Sequence, residues 1–153
     1  MDLLFQIIVV LVILSILLIL YLRYRSKIIF SKQNANKMRY LSGHDFERFL
    51  SSLFYRMGYK NKLTKGSYDF GADLIVSDGR TKIVIQAKRY NSKVGIRAVQ
   101  EVFSAMHYYD AQQAYVFTNS YFTKSARLLA QKLDVKLCDR NQMELLRKKY
   151  LSN

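Results

Sequence analysis

An aspartate, a glutamine and a lysine within residues 69–89, DFGADLIVSDGRTKIVIQAKR, have the types and spacing to do chemistry together. Asp73 opens an apolar, β-branched run through Ser77, Thr81 to Lys88 forms a second, and Asp78-Gly79 between them is a strong hairpin signal. A hairpin centred near Gly79-Arg80 sets Asp73 across from Gln86 to Lys88. Side chains at i and i+2 share one face of a strand, so Gln86 and Lys88 project together. One carboxylate, one amide oxygen and one ammonium then converge at one end of the hairpin. Such a set can hold a hard cation beside a phosphate and position a water. The plainer alternative is a cross-strand Asp–Lys surface pair with an incidental glutamine.

The rest of the chain bears on that choice; its 153 residues in all give room for one ordinary domain plus an appendage. Its 25 Lys+Arg against 11 Asp+Glu give a formal charge of +14, which favours a polyanionic partner: nucleic acid or the anionic face of a membrane. The single cysteine, Cys138, rules out an intrachain disulfide and fits a reducing compartment. No CxxC or Cys/His cluster suggests zinc, and no GxGxxG or Walker loop suggests a nucleotide, so neither a nucleotide nor a small-molecule cofactor is expected.

The elements that must position these residues begin after an apolar run. Leu3 to Leu22 is interrupted only by Gln6 and Ser15, and as a helix it would span roughly 30 Å, the thickness of a bilayer's hydrocarbon core. A small domain could not cover such a helix on all sides. A cleavable signal peptide should carry a basic leading region and an Ala-x-Ala site, and neither flanks this run. Arg23, Arg25, Lys27, Lys32 and Lys37 all follow it, so the positive-inside rule expects a single-pass cell-membrane anchor with the C-terminal part in the cytoplasm. Tyr21 and Tyr24 would anchor at the interface, and the five bases could also hold the chain against anionic lipid. The expected organisation is a transmembrane helix over 1–22, a basic juxtamembrane linker over 23–37 and a domain over 38–153. That domain remains strongly basic without the linker, which keeps nucleic acid in view.

Ser42 can cap a first helix, with Asp45 in capping-box position and Gly58 to end it; Phe46, Phe49, Leu50, Leu53, Phe54 and Met57 form its core stripe. Glu47 lies beside that stripe and could reach a site at the domain's edge. A short strand over Tyr59–Thr64 leads into the hairpin. A second helix over Gly95–Tyr109 carries Val99, Val102, Phe103 and Met106 inward and leaves Arg97, Gln100 and Glu101 off the stripe's centre. A strand over Ala114–Thr118, a helix capped by Thr123, a strand over Val135–Cys138 and a helix capped by Asp139 complete the order. The expected class is α/β: a mixed central sheet flanked by helices, αβββαβ with an αβα extension, preceded by one membrane helix.

This order, with these residues, resembles the Mrr-like branch of the PD-(D/E)XK nucleases, a restriction-endonuclease-like domain, over roughly Leu41 to Leu146. GHDFERFLSSLFYRMGY resembles the family's opening helix with its Phe-Glu pair, DFGADLIV its D-x-G-x-D run, and IVIQAKRY its Q-x-K strand. The stretch from Ala114, AYVFTNSYFTKSARLLAQKLDVKLCDRNQMELL, is similar to its closing strand–helix–strand–helix, with a Thr-Asn-Ser loop and a T-K-x-A helix start. The resemblance implies a phosphodiesterase acting on DNA with magnesium or manganese. Asp73 would bind the metal, with Gln86, the Ala87 backbone carbonyl and Glu47 as further oxygen donors, and Lys88 would polarise the attacking water or stabilise charge on the phosphate. Gln86 stands where most of the superfamily has Glu, which is typical of this branch but predicts weaker cation binding and a firmer dependence on Glu47. Gln100 resembles a glutamine that some of these nucleases place beside the site. Since many such enzymes need two sites for a double-strand cut, a homodimer is a further implication.

Lys62, Lys65, Arg80, Lys82, Arg89, Lys93 and Arg97 flank the hairpin and could track a phosphate backbone, with Tyr90 as the aromatic best placed for contact with DNA. Gly71 is expected to make a backbone turn that a Cβ would hinder. His44 and His107 read as structural or exposed. The leading reading is a membrane-tethered DNA endonuclease, attractive as a defence against incoming DNA. The alternatives are a tethered nucleic-acid-binding module that does not cut, or a basic domain that binds only anionic lipid.

Overall fold

The computed structural model describes residues 3–35, 41–64 and 70–151. Helix α1 runs from Leu3 to Ala35. Within it Phe5–Leu22, with a mean hydropathy of 3.1 and nothing buried, is long and apolar enough to cross a membrane by length and composition. The backbone stays helical through the basic stretch after Leu22, where no glycine or proline intervenes to stop it.

Helix α2 spans Gly43–Arg56 and begins with the first half of a capping box: Ser42 Oγ accepts from the Asp45 N–H at 3.1 Å, while the Asp45 carboxylate accepts from the Ser42 hydroxyl at 2.8 Å rather than from the Ser42 backbone. Strands β1 (Lys60–Leu63), β2 (Leu74–Ser77) and β3 (Lys82–Lys88) form an antiparallel meander. Helix α3 (Ile96–Tyr108) crosses to β4 (Gln113–Thr118), and α4 (Lys124–Lys132) crosses to β5 (Lys136–Cys138), both parallel additions. The sheet order is β1-β2-β3-β4-β5, and α5 (Arg140–Leu151) closes the chain. Asp139 caps α5 reciprocally: its carboxylate accepts from the Asn141 N–H at 3.1 Å, while its own N–H donates to Gln142 Oε1 at 2.8 Å.

Alternation along the strands sends side chains into two cores. Leu74, Val76, Ile83, Ile85 and Phe117 pack with Phe46, Leu50, Leu53 and Phe54 of α2 and Met143 of α5. Val84, Ala114 and Val116 pack with Val99 and Val102 of α3 and Ala126 and Ala130 of α4. Covered on both faces, β3 reads as a continuous buried run from Ile83 to Gln86. The mixed sheet flanked by helices expected from the sequence is the one observed.

Candidate functional site

The hairpin centres where its sequence placed it. Ser77 pairs with Lys82 and Leu74 with Ile85, so one more residue along brings Asp73 opposite Gln86. The Asp73 N–H donates to the Ile85 carbonyl at 2.8 Å, which carries the pairing past the end of β2. The Asp73 carboxylate Oδ2 accepts from Gln86 Nε2 at 2.5 Å and from the Ala87 backbone N–H at 2.7 Å. Gln86 is 5 % exposed, and its Oε1 is buried without a hydrogen-bond partner among the described residues. A buried amide oxygen with no donor is costly unless something else satisfies it.

Lys88, two residues on, turns the same way as Gln86. Its ammonium lies 2.8 Å from Glu101 Oε2 on α3, a close ion pair rather than an aligned hydrogen bond. Arg97 Nε holds the other Glu101 oxygen at 3.0 Å. The β4 end fixes the backbone on either side: Thr118 Oγ1 donates to the Lys88 carbonyl at 2.7 Å, and Asn119 Oδ1 accepts from the Tyr90 N–H at 2.8 Å. Both residues are buried, and Arg140 Nε donates to the Asn119 carbonyl at 2.9 Å. A cleft of about 310 Å³ opens beside Lys88, with Tyr90, Gly95, Arg97 and Glu101 among its walls. A second, mostly apolar hollow of about 460 Å³ lies on the other face between α2 and α5 and includes none of these groups.

The loop entering Asp73 is wedged onto α3. Phe70 and Gly71 have positive φ of 50° and 91°, and a Cβ on Gly71 would sit 2.5 Å from the Glu101 carbonyl oxygen. Gly71 is therefore needed twice, for its conformation and for the approach of a helix backbone.

Other expected residues fall in different places. Glu47 has His44 Nδ1 as its described neighbour, at 3.4 Å, and no described contact joins it to Asp73. Gln100 is exposed, one step round the helix from Glu101. Tyr90, Lys93 and Arg97 are exposed and Arg89 is half-buried, all beyond the end of β3, while Lys65 lies outside the described residues. Arg80 and Lys82 stand at the turn, the far end of the hairpin, and the Lys82 ammonium donates to the Tyr109 carbonyl at 2.8 Å, closing the C-terminus of α3. Cys138 offers no competing chemistry: burial, then the neighbouring Asp139 charge, pushes its thiol up to about 12, so it is not a thiolate near neutrality. Sequence reasoning missed Glu101, Thr118 and Asn119 as site residues. The Thr-Asn-Ser triplet ending a buried strand was the available signal for the last two.

Asp73 and Gln86 are residue types that a hard divalent cation takes, a carboxylate and an amide oxygen, although here the Gln86 amide turns its Nε2 rather than its Oε1 toward Asp73. The set is poor in charge, since no group of three or more His, Cys, Asp or Glu side chains gathers among the described residues.

The restriction endonuclease family of the Mrr catalytic type matches residues 38–146, well over half the chain. The chain belongs to that family. Among solved structures, the protein of unknown function AF1548 superposes with a TM-score of 0.60 at 16 % identity, covering 67 % of this chain and 64 % of its own. The DNA modification-dependent restriction endonuclease AspBHI superposes with a TM-score of 0.55 at 19 % identity, covering 82 % of this chain and 35 % of its own. This Mrr-type chain thus spans less than two thirds of either protein, and at such identities the likeness is one of fold. No curated protein matches it.

Proposed function

We propose that this chain is a membrane-anchored, divalent-metal-dependent DNA endonuclease that hydrolyses phosphodiester bonds on the cytoplasmic face of the cell membrane. The observation that supports it most is the placement of Asp73, Gln86 and Lys88 at one end of the hairpin, with a buried Gln86 oxygen that has no donor among the described residues. Asp73, Gln86 Oε1 and the Ala87 carbonyl would hold magnesium or manganese, and Glu47 would join them directly or through water. When bound, the ion supplies a Lewis acid at the phosphate and a more acidic water. Lys88 places its ammonium where charge grows on the phosphate or the attacking water. Arg89, Lys93, Arg97, Gln100 and Lys65 would meet the DNA backbone, with Tyr90 against sugar or base; none of these contacts reads sequence. Phe5–Leu22 would span the bilayer, and the basic stretch after it would keep the domain inside the cell. Family membership and that placement together favour a role in restriction of incoming DNA, with two copies meeting when both strands are cut.

A second reading has one observation in its favour, the low negative charge of the site: a tethered module that binds DNA without cutting. The two separate on supercoiled plasmid incubated with the full chain in detergent micelles. Nicking that requires magnesium and stops with EDTA supports the nuclease. Retarded but intact plasmid, unchanged by EDTA, supports the binding module and overturns cleavage.

A further inference from the structure

We propose that Glu101 is the positioning residue for Lys88. This inference rests on the nuclease reading and deepens it. A lysine ammonium on four methylenes is a mobile point charge, and a reaction that needs it at one place must restrain it. The Lys88 side chain is 18 % exposed and its ammonium is 2.8 Å from Glu101 Oε2, which is itself buried. Glu101 is restrained in turn. Arg97 Nε holds its second oxygen at 3.0 Å, and its backbone is pressed against Gly71 with no room for a methyl group. Gly71 lies two residues before Asp73, so a single point on α3 registers both the loop that delivers Asp73 and the ammonium of Lys88. Glu101 touches neither of the proposed metal donors, Asp73 or Gln86, in any described contact; it acts through Lys88.

Glu101→Gln keeps the shape and removes the charge, and the full chain in detergent micelles is the material for the test. Two quantities are read: labelling of Lys88 by an amine-reactive reagent, quantified by mass spectrometry against exposed Lys93, and the magnesium-dependent nicking rate at saturating plasmid. The expected result is several-fold faster labelling of Lys88 and a fall of about 10–100-fold in the nicking rate. The half-saturating DNA concentration stays within about threefold, because misplacing a catalytic group acts on the rate rather than on binding. In a Lys88→Ala background the same change has no further effect on nicking. Arg97→Ala, which leaves the Lys88–Glu101 contact in place, gives a smaller fall. Unchanged labelling and nicking in Glu101→Gln overturn the pair and leave the nuclease standing. A loss of thermal stability with no loss of rate shows a structural ion pair and also overturns it. A wild type that does not nick, with the labelling difference intact, overturns the nuclease reading and its catalytic use of Lys88 while leaving the contact itself.

Discussion

The two ends of the β2–β3 hairpin are built from the same parts and put to different use. Each has an aspartate whose carboxylate accepts from backbone N–H, one at Asp73 and two at Asp78 among the described contacts, and each has a glycine at positive φ. At the turn, Asp78 Oδ1 accepts from the Arg80 and Thr81 N–H groups at 2.9 and 2.8 Å, and the Gly79 N–H donates to Ser77 Oγ at 3.0 Å. All of these partners lie within three residues. At the other end Asp73 is held across the hairpin, Lys88 by Glu101 thirteen residues on, and the strand backbone by Thr118 and Asn119. The turn satisfies its own polar groups. The far end leaves Gln86 Oε1 without a donor among the described residues.

The comparison breaks most visibly in activity. Asp73→Ala and Lys88→Ala should each lower magnesium-dependent nicking by about 10²–10³-fold, the usual loss on removing one electrostatic element of a hydrolytic site. Asp78→Ala should leave it unaltered.

Next comes the pair of glycines. Gly71 and Gly79 have φ of 91° and 95°, yet a Cβ on Gly79 meets nothing within 4 Å while one on Gly71 strikes the α3 backbone. Gly79→Ala should cost about 1–2 kcal/mol for its left-handed backbone. Gly71→Ala adds the clash and should cost about 2–4 kcal/mol, read from urea unfolding of the two variants side by side.

Thr118→Val should follow at about 1–3 kcal/mol, because it strips a buried hydroxyl from the Lys88 carbonyl without altering shape. Chemical denaturation measures that loss, and a lower nicking rate should accompany it as the strand end loosens.

The smallest effect belongs to the turn and depends on pH. The backbone N–H groups of Thr81, then Arg80, hold the Asp78 carboxyl below the usual carboxylate range. A carboxyl with a lower value folded than unfolded stabilises the fold above its unfolded value, and that contribution is lost as pH falls through the folded one. Asp78→Ala should therefore lower the melting temperature slightly at neutral pH, with the gap to wild type closing as the solution is acidified.

The same contrast explains what could be read from the chain. The turn, the Ser42, Thr123 and Asp139 caps and the helix stripes are set by residues a few positions apart, and all stand where the sequence put them. The placement of Asp73 opposite Gln86, with Lys88 at the same end of the hairpin, was legible too, because a hairpin's centre determines its register. Glu101 was not. Periodicity located α3 and left Arg97, Gln100 and Glu101 together off its buried stripe. Which of them meets Lys88 depends on how the helix lies across the sheet, and one step along a helix turns a side chain by about 100°. The exposed Gln100 was thus the residue expected at the site, and its neighbour is the one that reaches Lys88. Charge patterning has the same weakness. Arg80 and Lys82 look like neighbours of the site in a linear count and sit at the opposite end of the hairpin, with Lys82 closing a helix.

The most direct measurement sets the two hairpin aspartates against each other. The full chain, Asp73→Ala and Asp78→Ala are incubated in micelles with supercoiled plasmid and magnesium, and nicked product is followed with time. Wild type and Asp78→Ala should nick at the same rate, and Asp73→Ala should leave the plasmid closed while still binding it. Equal nicking by Asp73→Ala would contradict a catalytic site at the Asp73 end.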